Sequence, residues 1–168
     1  MGIRGQKPIA ERPFENIDGL SDYPLSAAQK EVLEYWYSKS NASAPPRRSD
    51  IDVLDLRLHM PHIMMFDVER DPDDFRYRLV GTRVRENSFE DYTGKYLSEL
   101  EGKGPDSQIW KLLSECRDRG EPMCCAVPNV GPFSAIRRAS ALFLPLQTQD
   151  PNAMIVMVMM SYEQLLAA

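Results

Sequence analysis

The sequence predicts an α+β domain built on an antiparallel sheet, and three observations predict it. Two strand-length runs, His62 to Glu69 and Phe75 to Gly81, flank the turn-forming Arg70-Asp71-Pro72-Asp73-Asp74 and read as a hairpin. Ile109, Leu112, Leu113 and Cys116 recur at i, i+3, i+4 and i+7, which predicts a helix over about Asp106 to Arg119, closed by Gly120 and Pro122. Three more strand runs follow: Met123 to Val127, Ala135 to Leu146 and Ala153 to Tyr162. A hairpin alone makes no stable sheet, whereas three meandering strands pair readily with it.

The elements can be justified in order. Residues 1–24 lack apolar periodicity, carry Pro8, Pro13 and Pro24, and read as an extended arm. Residues 25–48 form a helix and a Pro/Arg loop. Ser26 and Gln29 make a capping box, and Ala28, Val32, Leu33, Tyr35 and Trp36 give the helix an apolar stripe to about Ser38. That stripe must be buried, on a neighbouring subunit or on the back of the sheet. Pro45-Pro46 breaks the helix. Residues 49–168 are the main domain. Ser49 caps a short helical stretch with Ile51, Leu54 and Leu58 on one side, and Pro61 ends it. The strand from His62 is apolar on both faces, as in a sheet covered on both sides. Between Thr82 and Gly120 the chain reads as helices and loops: Asp91-Tyr92-Thr93-Gly94 turns, Leu97 and Leu100 mark a helical turn, and the firm helix follows. Asn129-Val130-Gly131-Pro132 and Gln147–Asn152 separate the last three strands, and Pro145 suggests a ladder that is finishing.

Composition narrows the function classes. A chain of 168 residues is one domain by default and can enclose a core without staples. The net charge of −5 argues against nucleic acid as a partner, although arginines scattered at 47, 48, 76, 78, 83, 85, 137 and 138 can still meet at a local anion site. No apolar run spans a bilayer and the N-terminus lacks the apolar stretch of a signal peptide, so a cytoplasmic protein without membrane contact is expected. Cys116, Cys124 and Cys125 are an odd count; as strand neighbours Cys124 and Cys125 face opposite ways, and all three read as small buried hydrophobes.

The order and spacing of these pieces resemble a bacterial family of short, mostly single-domain PAS-like proteins. The residues carrying the resemblance are Tyr35-Trp36, Pro45-Pro46-Arg47-Arg48, Asp50-Ile51-Asp52, Pro61-His62-Ile63, Asp67-Val68, Phe75-Arg76-Tyr77-Arg78-Leu79-Val80-Gly81-Thr82, Asp91-Tyr92-Thr93-Gly94 and Leu144-Pro145-Leu146. They run over roughly residues 26–163. Phe89 stands where the family tends to have glycine, and Asp150-Pro151 where it tends to have Asp-Gly. The resemblance implies a five-stranded antiparallel sheet of order 2-1-5-4-3 with helices on one face, plus the N-terminal helix. It also implies a sensory role.

Enzyme motifs are absent: no Gly-x-x-x-x-Gly-Lys loop, no Gly-x-Ser-x-Gly elbow, no His-Glu-x-x-His. Gly102-Lys103-Gly104 reads as a loop, and His59 and His62 lack further metal ligands nearby. Asp67 sits in an apolar strand and pairs with Arg76 or Arg78 across the hairpin, as a structural ion pair or a ligand-sensing acid. PAS-type proteins often hold cofactors. The helix at 106–119 has no histidine for haem, and Ser88 follows Asn87 where a photoactive flavin site wants cysteine, so both are disfavoured. A non-covalent flavin or a small organic ligand stays open. The remaining candidate is an apolar cup lined by Tyr77, Leu79, Tyr92, Trp110, Leu113, Leu142 and Leu144, with Arg78 or Arg138 to face an anionic ligand; the same residues could simply fill a core. The methionines at 64, 65, 154, 157, 159 and 160 coat the sheet and make its outer face an interaction site.

Three readings result. The first is a sensory module that binds a small ligand or a protein and acts in trans. The second is a structural module with a filled core that dimerises through the N-terminal helix; a homodimer is expected in any case, with Val32, Leu33, Tyr35 and Trp36 as its candidate contact. The third is a small enzyme with Asp67 as base. A ligand-sized void ringed by a polar group separates the first from the second.

Overall fold

Alternation along the strands sorts the apolar side chains into two cores on opposite faces of one sheet. A computed structural model describes residues 25–41, 44–127 and 136–164. The expected arm at 1–24 and the turn at 129–132 lie outside the described residues. The elements are α1 (Ala27–Lys39), β1 (Ile63–Glu69), β2 (Asp74–Val80), α2 (Thr82–Glu86), α3 (Gln108–Arg119), β3 (Met123–Val127), β4 (Ile136–Gln147) and β5 (Met154–Gln164). The sheet runs β2-β1-β5-β4-β3 and every pairing is antiparallel.

The inner face carries Phe66, Phe75, Tyr77, Phe143, Val156 and Val158, covered by α2, a 3-10 turn at Leu97–Glu99, and α3. Helix α3 is capped by Ser107, whose hydroxyl accepts from the Trp110 N–H, and closes at Gly120 in the left-handed region (φ 63). The outer face carries Ile63, Met65, Leu142, Leu144, Leu146 and Met157, covered by α1.

Helix α1 is fastened to its own sheet. Val32, Leu33 and Trp36 are buried there, each such side chain contributing about 1.5–3 kcal/mol. The capping-box residue Gln29 is also fully buried, and its Nε2 donates to the Ser140 hydroxyl at 3.2 Å and to the Met159 carbonyl at 3.2 Å. The Trp36 indole N–H donates to the Pro145 carbonyl at 2.9 Å. This corrects the expected dimer contact: Val32, Leu33 and Trp36 are consumed within the chain. Tyr35 is half-buried, its hydroxyl accepting from the Asp52 N–H and donating to Asp55. It also corrects the methionine-coated interaction face, because Met65, Met157 and Met159 lie under α1.

Two further expectations change. The segment after the Pro/Arg loop is not one helix: Arg48–Asp50 and Met60–His62 are short 3-10 turns with other turns between them. Asp52 takes the Leu54 N–H, a local bond that competes with helix, so Ile51 and Leu56 are buried while Leu54 and Leu58 are 68% and 79% exposed. The β4 ladder also continues past Pro145 to Gln147. β3 stops pairing at Phe143, so the missing proline N–H faces no neighbouring strand. The Pro/Arg loop joins the sheet here: Arg47 bridges Gln147 in parallel, and the Gln147 N–H donates to the Pro46 carbonyl at 2.9 Å.

Candidate functional site

A cavity of about 330 Å³ lies between the inner sheet face and the helices, which places it at the small end of ligand pockets. Phe143 and Met160 line it from the sheet, Val84 from α2, and Ile109 and Leu112 from α3. Its polar groups come from Tyr77, Ser88 and Lys103 among others.

The mouth is built by the turn the sequence singles out. Asp91 accepts from the Thr93 hydroxyl at 2.6 Å and from the Thr93 N–H at 3.0 Å, and these two bonds hold its carboxyl below the usual range. Gly94 (φ 83) turns the chain so that its N–H donates to the Tyr77 carbonyl at 2.7 Å, and the Tyr77 N–H donates to the Lys95 carbonyl at 3.0 Å. These bonds bring Tyr92 flat against Tyr77, with ring centroids 5.3 Å apart. Lys103 sits over the other side of Tyr92, its ammonium 4.8 Å from the ring centroid. Phe66, tilted against Tyr77, then Tyr92 and Lys103 thus form one chain of ring contacts from the sheet to the mouth.

Lys103 has a ring beneath it but no counter-ion among the described residues. Burial lowers the Lys103 pKa, and among the described residues no carboxylate stands within ion-pair distance of it. Burial, with Tyr92 adding to it, raises the pKa of the Tyr77 phenol. Phe89, which also lines the cavity, is 70% exposed and forms its rim.

A family model described as a PAS domain matches residues 25–160, most of the chain and all five strands as far as β5. The chain belongs to the PAS domain family. No curated protein matches it. The PAS domain family is one of sensory and regulatory domains, and the sheet order and flanking helices agree with that membership.

Only part of the expected cup lining in this PAS domain reaches the void. Tyr77 and Tyr92 line it. Leu113 is fully buried in the packed floor beneath, and Trp110 packs edge-on to Phe75 at 5.1 Å to one side. Leu142 and Leu144 belong to the outer core under α1, because β4 turns Ala141 and Phe143 inward and the residues between them outward. Leu79 is also on the outer face. Simple alternation puts it beside Tyr77, but β2 has a bulge: Tyr77 pairs with Phe66 and Leu79 with Met65, leaving Arg78 as the extra residue. Arg78 is outward too and does not address the cup. Arg138 pairs with Glu163 in the ladder, and its side chain lies outside the described residues.

Asp67 lies on the outer face of the PAS domain sheet. It accepts from Arg76 at 2.7 Å and from Arg78 at 3.1 Å, so it stands across the sheet from the cavity and offers no base there. The thiols divide between the faces: Cys116 and Cys125 in the inner core, Cys124 against the outer one. Burial pushes Cys125 up to about 11 and Cys124 up to about 12, and raises Cys116 as well, so none is a ready nucleophile. His59 bonds Glu31 at 2.9 Å. Lys103 is a cavity residue that the sequence does not single out: a lysine between two glycines ahead of a helix carries the signature of a loop.

Proposed function

We propose that this PAS domain is a sensory module that binds a small, largely apolar ligand in the cup, with an anionic or hydrogen-bond-accepting end held by Lys103 and Tyr77. The observation that carries the reading is the half-buried Lys103 ammonium, which has no counter-ion and lines a cavity of about 330 Å³. A desolvated ammonium without a carboxylate is unfavourable, and a ligand anion supplies the missing charge. The void weighs against a filled structural core. The exposed ring of Phe89 at the rim adds apolar surface that a ligand would cover.

Native mass spectrometry of the purified chain tests the reading, followed by release and identification of any bound small molecule. An adduct that Lys103→Met loses, with thermal stability retained, supports it. Chain of unliganded mass, together with no stabilisation by a panel of small aromatic and aliphatic carboxylates, would overturn it.

A further inference from the structure

On the outer face of the sheet, away from the cup, the fold gathers arginines that are far apart in sequence. Arg47 and Arg48 come from the loop after α1, and Arg78 comes from the bulge of β2. They line a cleft of about 410 Å³ with Ser49, the β4–β5 turn residues Thr148 and Asp150, and a floor at Ile155. We propose that this cleft is a second binding site, for a phosphate group presented either as the free ion or as a phosphate monoester.

The charge balance favours an anion. The chain as a whole carries −5, yet the cleft lining holds three arginines and one acid, Asp150, with Asp67 beside Arg78 and Asp50 on the Arg47 N–H at its edges. The Asp150 carboxylate already accepts the Asn152 N–H of its own turn at 2.9 Å. Arg78 shares the single Asp67 carboxylate with Arg76, so that trio keeps one excess positive charge. Neither Arg47 nor Arg48 has an ion-pair partner among the described residues. Arg48 donates Nη1 to the Ile51 carbonyl at 3.0 Å, while its Nε is buried with no partner. A buried guanidinium donor left unpaired is unfavourable, so the Arg48 side chain lacks a full set of partners among the described residues.

The geometry selects among anions. A carboxylate presents two oxygens in one plane and is satisfied by one arginine fork. Donors arriving from two separate elements, with the Ser49 hydroxyl beside them, suit a tetrahedral group with several charged oxygens. The cleft exceeds the size of one phosphate, and its Ile155 floor leaves apolar surface for an ester substituent.

Two properties make the site informative about the fold. The Pro/Arg loop reaches it through the Arg47–Gln147 bridge, and Arg78 reaches it as the outward-facing extra residue of the β2 bulge. An occupied cleft would therefore fasten the segment after α1 to the two strands β2 and β5.

The test is calorimetric titration of the full chain with inorganic phosphate and, separately, with phenyl phosphate, at constant ionic strength set by chloride. Saturable binding is expected. Arg47→Gln and Arg78→Gln should each weaken it by about tenfold or more, with unchanged far-ultraviolet circular dichroism. Arg47 is exposed and Arg78→Gln leaves Asp67 paired with Arg76, so both variants retain the fold. Tighter binding of phenyl phosphate assigns the ester as the source, and equal binding assigns the free ion; either supports the site. Lys103→Met, on the other face, should leave phosphate binding unchanged, which separates this site from the cup. No saturable heat from either probe, wild-type affinity in both arginine variants, or loss of phosphate binding in Lys103→Met would each overturn the proposal.

Discussion

Gly81→Ala isolates a contact that ordinary propensity gets wrong in sign. Gly81 has φ −64 and ψ 156, a conformation alanine adopts freely. On backbone entropy alone the substitution should stabilise by about 0.4–1 kcal/mol. The structure opposes this. A Cβ at Gly81 would lie 2.5 Å from the Pro61 carbonyl oxygen, 2.7 Å from the Pro61 carbonyl carbon, and closer still to the Met60 oxygen. All three are backbone atoms and cannot rotate aside. Relief requires the Met60–His62 turn and the start of α2 to separate by several tenths of an ångström or more, which stretches the 2.8 Å bond from the Gly81 N–H to the Ile63 carbonyl. Overpacking costs about 1–3 kcal/mol and a buried N–H left unpaired about 1–3 more, so a net loss of about 3–4 kcal/mol is expected. For a chain of this size that is a fall in Tm of roughly 10 °C. Thermal unfolding followed by circular dichroism measures it, with Gly104→Ala as the control. Gly104 has open space around a built Cβ, so its variant should match or exceed the parent. A Tm for Gly81→Ala at or above the parent value would refute the reasoning.

Other outcomes follow from the same packing. Trp36→Phe removes the indole donor to Pro145 and should lower stability by about 1–2 kcal/mol in urea unfolding; an unchanged midpoint would mean that α1 is not held as described. Phe89→Ser should leave Tm within about a degree, since the side chain is 70% exposed, yet weaken any ligand recovered from the cup; equal retention would remove Phe89 from the rim. Stability should fall as pH rises above 9. The unfolded thiols ionise near 9.0, while burial holds Cys125 up to about 11 and Cys124 and Tyr162 up to about 12, so the unfolded chain sheds protons first and the stability present below pH 9 is lost through that window. Lys103, with its lowered pKa, acts in the opposite sense but is one group against several. Urea midpoints at pH 7 and pH 10.5 check this, and equal values would refute it.

Much of the architecture was legible because its signals are local. The Ser26–Gln29 capping box starts α1, Gly120 ends α3, and the turn after Glu69 returns β2 along β1. Each of these depends on a few consecutive residues and their backbone preferences. The site was less legible. Alternation shows that Leu142 and Phe143 face opposite ways, but not which of them meets α1 and which meets α3. The bulge at Arg78 reverses the parity of Leu79, and it is a pairing of two strands with no sequence signal of its own. Gln29 was readable as a cap but not as the buried tether of α1 to Ser140 and Met159.

By itself, the sequence determined the element order, the hairpin, the capped helices and the resemblance to the PAS domain family, since periods and caps are properties of neighbouring residues. The tertiary structure decided the faces and the meetings. It buried the α1 stripe on its own sheet, placed Lys103 over Tyr92 at the cup, and brought Arg47 and Arg48 to Arg78 across some thirty residues of chain. Those outcomes depend on which long-range contacts close together, and the chemistry of both candidate sites resides in them.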